Sequence, residues 1–135
     1  MAEEQQYTPA EEMRWAIALD WFALNGRSAS MLLKSYLCPG CAKRLVDKKE
    51  PPLKALLATI QNCCSQKPEF FNDKLPILES TFRLFLRDGN KTLTLQELSS
   101  RLGQVRAGDI YRTSAETLLR ILKNDRFYGL QEIHD

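Results

Sequence analysis

Histidine is nearly missing from this 135-residue sequence, its only copy being His134 at the penultimate position. A Cys-His or Ser-His catalytic pair would hang on a tail prone to fray. There is no G-x-x-x-x-G-K-S/T loop, no G-x-G-x-x-G and no H-E-x-x-H, which removes the ready nucleotide-binding and metalloprotease readings. Adjacent carboxylates occur only at Glu3-Glu4 and at Glu11-Glu12, the second pair in a place that helix capping explains. We therefore expect a protein that is not an enzyme.

Long apolar runs are also lacking. Asp20 interrupts the richest stretch, and nothing approaches the roughly 18 residues of a membrane span. The opening Met-Ala-Glu-Glu-Gln-Gln is acidic and polar where an export signal needs a basic start and an apolar centre. With thiols kept reduced, a cytoplasmic location is expected. Charge of one sign is scarce too, since the net charge is only +2, too small to argue for nucleic acid by itself. The segment from Arg27 to Lys49 is more basic, with six cationic residues against Asp47 alone, a pattern that a solvated loop would also produce.

What is present is an ordinary folded composition, with hydrophobic residues at 44% and charged residues at 27%. The length suits one good core, or two small ones if a metal helps one of them. Four cysteines supply that help. Cys38-Pro39-Gly40-Cys41 sets two thiols three positions apart across a turn, and Cys63 and Cys64 are adjacent. Zinc takes four such ligands in a tetrahedron, so the chain holds enough thiols for one all-cysteine site. The spacing C-x2-C-x21-C-C matches half of the usual double C-x2-C pattern. Against it stands the packing of Cys63 and Cys64 as small hydrophobes, with Asp47, Asp73 or His134 as alternative fourth ligands. The Cys38 to Leu45 turn resembles the knuckles of rubredoxin-like and zinc-ribbon proteins, which implies metal binding. We expect Cys38, Cys41, Cys63 and Cys64 to hold a structural zinc. A thiol redox role for Cys38 and Cys41 is the weaker reading.

Along the chain, Thr8-Pro9-Ala10-Glu11 carries helix-starting signals and Asn25-Gly26 a stop. Met13, Ala16, Ile17, Trp21 and Leu24 form a stripe between them, widened by Trp15, Leu19 and Phe22, so one long helix is predicted that packs on both sides or against a second copy of the chain. Ser28 caps a short second helix leading to Cys38. Pro51-Pro52 opens a third, whose apolar face of Leu53, Leu56, Leu57 and Ile60 continues into Cys63 and Cys64. We place a boundary in the polar stretch Ser65 to Asn72.

Beyond it Asp73 caps a helix with Ile77, Leu78, Phe82, Phe85 and Leu86 apolar, and Asp88-Gly89-Asn90 turns the chain. Thr94-Leu95-Gln96-Glu97 is a capping box for a helix that Gly103 closes, and Thr113-Ser114-Ala115-Glu116 is another. Phe127 to Ile133 reads as one extended segment. Asp88, Asn90 and Glu97 imitate part of a calcium loop, but Leu86 and Lys91 stand where it needs a carboxylate and a glycine.

This order of elements over Asp73 to Ile133 resembles the winged helix-turn-helix domains. The expected architecture is mainly α: a helical unit with a zinc knuckle over residues 1–68 and a small α+β winged-helix-like domain over 73–135. The resemblance implies that Thr113 to Asn124 lies in the DNA major groove, with Arg112, Arg120 and Lys123, and Arg126 on the wing, contacting phosphates or bases. The ten residues from Gly103 to Arg112 exceed the family's usual turn of three or four. Two functions follow as expectations: a zinc-binding, DNA-binding transcription regulator, homodimeric through the first helix, or a protein-protein interaction module with a structural zinc and no DNA binding.

Overall fold

A computed structural model describes residues 9, 12–45, 51–72, 74–106 and 113–134. The described chain is mainly helical, with a small three-stranded antiparallel sheet. Its elements are β1 (Arg14–Ile17), α1 (Asp20–Leu24), α2 (Ala29–Lys34), α3 (Pro39–Leu45), α4 (Leu53–Asn62), α5 (Ile77–Arg87), β2 (Leu93–Thr94), α6 (Leu95–Val105), α7 (Ala115–Lys123) and β3 (Leu130–Glu132). Two 3-10 turns, Cys64–Gln66 and Pro68–Phe70, link α4 to α5. No described helix is long and apolar enough to cross a membrane.

The largest correction falls on the first predicted helix. Residues 14–17 are a strand, and only Asp20–Leu24 is helical. β1 is the middle strand of the sheet, with order β2-β1-β3; Trp15 lies opposite both Leu93 and Glu132, and Ile17 opposite Leu130. β1 is covered on both faces as well as paired on both edges: Trp15, Ala16 and Ile17 are all buried and show no polar alternation that would mark a strand. Trp15, Ile17 and Phe22 are thus buried within this chain, whereas Leu24 is exposed. The signals at Thr8, Ala10 and Glu11 lie outside the described residues.

β2 is too short to pair with the whole of β1, and Asn90 completes the edge. Its side-chain Oδ1 accepts from the Ile17 N–H at 2.8 Å, and its Nδ2 donates to the Ile17 carbonyl at 2.9 Å. One amide therefore replaces one strand residue. The geometry needs Asn90 at φ +56°, after Gly89 at +75°, and asparagine tolerates that region better than most residues. On the other edge Asp125 is buried and accepts from the backbone N–H groups of Phe127, Tyr128 and Leu130 at 2.9 to 3.0 Å. This folds residues 126–128 into a turn and confines the extended segment to 130–132.

α5 is the hub. Ile77, Phe82, Leu84, Phe85 and Leu86 are buried around it, and it packs against α4, α6 and β1. One buried cluster joins Trp15, Leu33, Leu56 and Ile60 to Phe82, Phe85, Leu98, Leu118 and Leu130. It draws on both sides of the boundary expected near residue 70, just as β1 does by pairing with β2 and β3.

Several caps fall where the sequence places them. Ser28 accepts from Met31, and Thr94 and Glu97 form a reciprocal box. Others shift. α6 runs through Gly103 to Val105, and the cap of α7 is Ser114, accepting from Thr117, one residue later than expected. α5 starts after Pro76, and Asp73 is outside the described residues. The three residues of the calcium-loop imitation are each engaged elsewhere. Asp88 bridges Arg87 and Arg101 at 3.0 and 2.6 Å, Asn90 holds Ile17, and Glu97 holds the Thr94 backbone.

Candidate metal centre

Two chain segments bring the cysteines together. α2 ends in a turn that delivers Cys38 to the start of α3, where the Ala42 N–H donates to the Cys38 carbonyl at 2.8 Å. Cys38 is thus the cap residue, Pro39 the first helical residue, and Cys41 the third. Proline is well suited to that first position, where its missing N–H is not needed. The backbone N–H of Cys41 pulls the Cys38 thiol down to about 7.

The adjacent pair needs a different device. α4 is anchored by Leu56 and Ile60, both fully buried, and it ends at Asn62. At Cys63 the backbone leaves helical values for φ −131° and ψ −66° before the 3-10 turn begins at Cys64. An uninterrupted helix would send two neighbouring side chains about 100° apart. The break at Cys63 brings both sulfurs to the point that Cys38 and Cys41 face.

All four sulfurs lie within 4.8 Å of one another. Cys41 Sγ is 3.4 Å from Cys63 Sγ, and Cys38 Sγ is 4.0 Å from it. Four thiolates at about 2.3 Å from a tetrahedral zinc would stand about 3.8 Å apart, so the group has the right size for a metal ion. Cys41 and Cys64 are buried, and Cys38 and Cys63 are half-buried. His134 is not in the group; it lies 3.9 Å from Glu132 and is exposed. Asp47 and Asp73, each a carboxylate that could supply a fourth ligand, lie outside the described residues.

The surroundings sort the sulfurs. Cys64 Sγ accepts the Cys38 backbone N–H at 3.1 Å, and Arg44 Nη2 donates to Cys41 Sγ at 3.1 Å. Burial pushes the Cys64 thiol up to about 12, and hydrogen bonding to Cys41 and Cys38 also raises that of Cys63. Without a cation, four adjacent thiolates repel one another and the set keeps some of its protons. A divalent ion removes that obstacle, and Arg44 offsets part of the charge left over.

Beside the cysteines opens a cavity of about 160 Å³, lined among others by Cys38, Cys64, Lys67, Glu69 and Arg83. Behind it stands a network that sequence reasoning missed. The Glu79 carboxylate accepts from Tyr128 Oη, from Tyr36 Oη at 2.7 Å and from Arg83 Nε at 2.8 Å. Burial alone would raise this carboxyl, but the three donors overcome it and hold it below the ordinary range. Tyr36 thereby ties the α2–α3 connection to α5. Arg44 was missed as well, although its place one turn after Cys41 in a CxxC helix start was a usable signal.

Of the residues expected at DNA, Arg112 is outside the described residues. Arg120 and Lys123 are exposed on α7, in company with the exposed Glu116. Arg126 is exposed but lies in the α7–β3 turn, where Nη1 donates to the carbonyls of Asp125 and Lys123 at 2.9 and 3.4 Å. It helps end α7 rather than standing between two strands. Compared with models of known protein families, with curated sequences and with solved structures, the chain matches none.

Proposed function

We propose that this chain is a small zinc-binding regulatory protein that contacts DNA through α7, with Cys38, Cys41, Cys63 and Cys64 holding a structural zinc. The observation that carries the metal half is the group of four sulfurs within 4.8 Å of one another, supplied by two segments that no disulfide joins. Zinc suits it because thiolates are soft ligands and the group offers four sulfurs with no cluster-specific spacing. Its work is to tie the start of α3 to the end of α4. Both segments are short, and a metal-sulfur centre supplies cohesion that a core of this size supplies sparingly.

The DNA half rests on α7. Its buried face is Leu118 and Leu122, leaving Arg120 and Lys123 to solvent, and Arg126 follows at its end. The reading keeps the winged-helix resemblance in the order α5, α6, α7, β3, with β1 standing between β2 and β3 in the sheet. A duplex-binding assay by fluorescence anisotropy across a salt series tests the reading. Apparent affinity should fall steeply with salt, and the Arg120→Ala, Lys123→Ala double variant should weaken binding and lower the log–log salt slope by about 1 for each phosphate no longer neutralised.

The second reading, a protein-docking module, is favoured by the solvent-exposed side chains of Leu24 and Met31, 79% and 73% exposed, with Phe127 at 48%. DNA affinity that ignores both salt and the double variant would retire the first reading in favour of this one.

A further inference from the structure

A second cleft, of about 570 Å³, opens between the end of α5 and one side of α6. That volume lies within the range of about 300 to 1,000 Å³ usual for small-molecule sites, which are mostly apolar inside. Here none of the described lining residues is aliphatic or aromatic. Arg87 enters from α5 and Arg101 from α6, and one carboxylate holds both: Asp88 Oδ1 accepts from Arg87 Nε at 3.0 Å and Oδ2 from Arg101 Nη1 at 2.6 Å. Two guanidinium groups on the two oxygens of one carboxylate are close enough for a single anion to touch both. Arg87 is fixed further by the Phe71 ring, 5.6 Å away at its centroid. Each guanidinium spends one nitrogen on the clamp and keeps two without a partner among the described residues. The carboxylates nearby are already engaged, Asp88 by the two arginines and Glu97 Oε1 by the Thr94 N–H. Gln96, Ser100 and Gln104, all exposed, recur every four residues and so stand one turn apart along α6. Their side chains bond to no described residue.

We propose that this cleft binds a small sugar phosphate, with Arg87 and Arg101 on the phosphoryl oxygens and Gln96, Ser100 and Gln104 on the sugar hydroxyls. Phosphate is an anion whose several oxygens match a pair of planar guanidinium forks. The Asp88 clamp sets those forks before the ligand arrives, so little side-chain freedom is lost on binding. The stripe on α6 offers both donors and acceptors. Sugar hydroxyls need both, whereas phosphoryl oxygens only accept. No flat apolar side chain in the described lining would stack a nucleobase, so a nucleotide fits less well than a sugar phosphate. The lining shares no residue with the cysteine group or with Arg120 and Lys123 on α7. The assignment therefore stands apart from the zinc and DNA readings, and under the first of the two functions it gives the regulator a metabolite to answer to.

The test is isothermal titration calorimetry on the full chain as purified, with glucose 6-phosphate, ribose 5-phosphate, inorganic phosphate and glucose as probes. At least one of the two sugar phosphates should bind about ten-fold tighter than inorganic phosphate, and glucose should bind more weakly than that sugar phosphate. Arg101→Gln should weaken the sugar phosphate by at least about ten-fold. Arg101 also pairs with Asp88, so Ser100→Ala and Gln104→Ala carry the test if that variant folds poorly. Both side chains are exposed and make no bond within the described fold, so the melting temperature should hold while sugar phosphate affinity falls about five-fold and inorganic phosphate affinity stays the same. Failure of both sugar phosphates to bind at millimolar concentration would overturn the proposal. So would equal affinity for inorganic phosphate and the sugar phosphates, or binding that neither Arg101→Gln nor the α6 variants disturb. A DNA duplex that displaces the sugar phosphate and itself loses affinity in Ser100→Ala would give the cleft to a nucleic-acid backbone and overturn the small-molecule assignment.

Discussion

Asn90 allows the sharpest quantitative prediction, because its side chain does a job that can be counted. It pairs one N–H and one C=O of Ile17 on a central strand. Truncation leaves both groups unpaired. A buried unsatisfied backbone group costs about 1 to 3 kcal/mol, and the site is only partly buried, so the lower half of that range applies to each. Asn90→Gly should therefore destabilise by about 2 to 4 kcal/mol. Asn90→Ala adds the cost of a side chain at φ +56° and should lower stability by about 1 kcal/mol more. Urea unfolding at fixed free zinc measures both, with fluorescence as the readout because Trp15 lies buried in the same strand. The order wild type, Gly, Ala is the diagnostic result. A Gly variant within about 0.5 kcal/mol of wild type would refute the idea that this amide stands in for a strand residue.

Two further outcomes follow from other parts of the fold. Glu79 is held below its usual range by Tyr128, Tyr36 and Arg83 against the opposing effect of burial. Its stabilisation is therefore complete above the ordinary glutamate value of about 4.3 and is lost as pH falls through the lower folded-state value. Glu79→Gln should cost about 1 to 2 kcal/mol at neutral pH and flatten the acid limb of a stability-against-pH curve; an unchanged limb would contradict this. Gly129 has φ +68°, and a Cβ there would meet the Phe22 ring at 2.9 Å and the Ala18 carbonyl oxygen at 3.2 Å. Gly129→Ala should therefore lower stability by more than about 2 kcal/mol in thermal unfolding, whereas the open position Gly40 supplies a control expected to change little.

What the sequence made legible were the features that local chemistry fixes. The run Leu53, Leu56, Leu57, Ile60 and then Cys63 and Cys64 places two thiols inward, and Cys38-Pro39-Gly40-Cys41 has its own turn signature, so the cysteine group could be anticipated. Ser28, Thr94 and Glu97 announce their helices for the same reason. The strand at Arg14 to Ile17 was not legible. Met13, Ala16, Ile17, Trp21 and Leu24 satisfy helical spacing, and a strand buried on both faces offers no alternation to set against it. Asn90 and Asp125 look like ordinary turn residues in the sequence, because Asn90 acts on a partner 73 positions away and Asp125 on N–H groups that only a particular turn presents together. The Cys63 backbone break could not be read either. Adjacent cysteines look awkward as joint ligands, and the awkwardness is relieved by one pair of dihedrals that the sequence does not display.

Metal content, with thiols counted before and after a chelator, tests the central claim most directly. Protein purified without added metal should contain about one zinc per chain, with the four thiols unreactive until the chelator frees them and the helical signal falls as they appear. Protein free of metal, folded, and with all four thiols titrating at once would contradict the account.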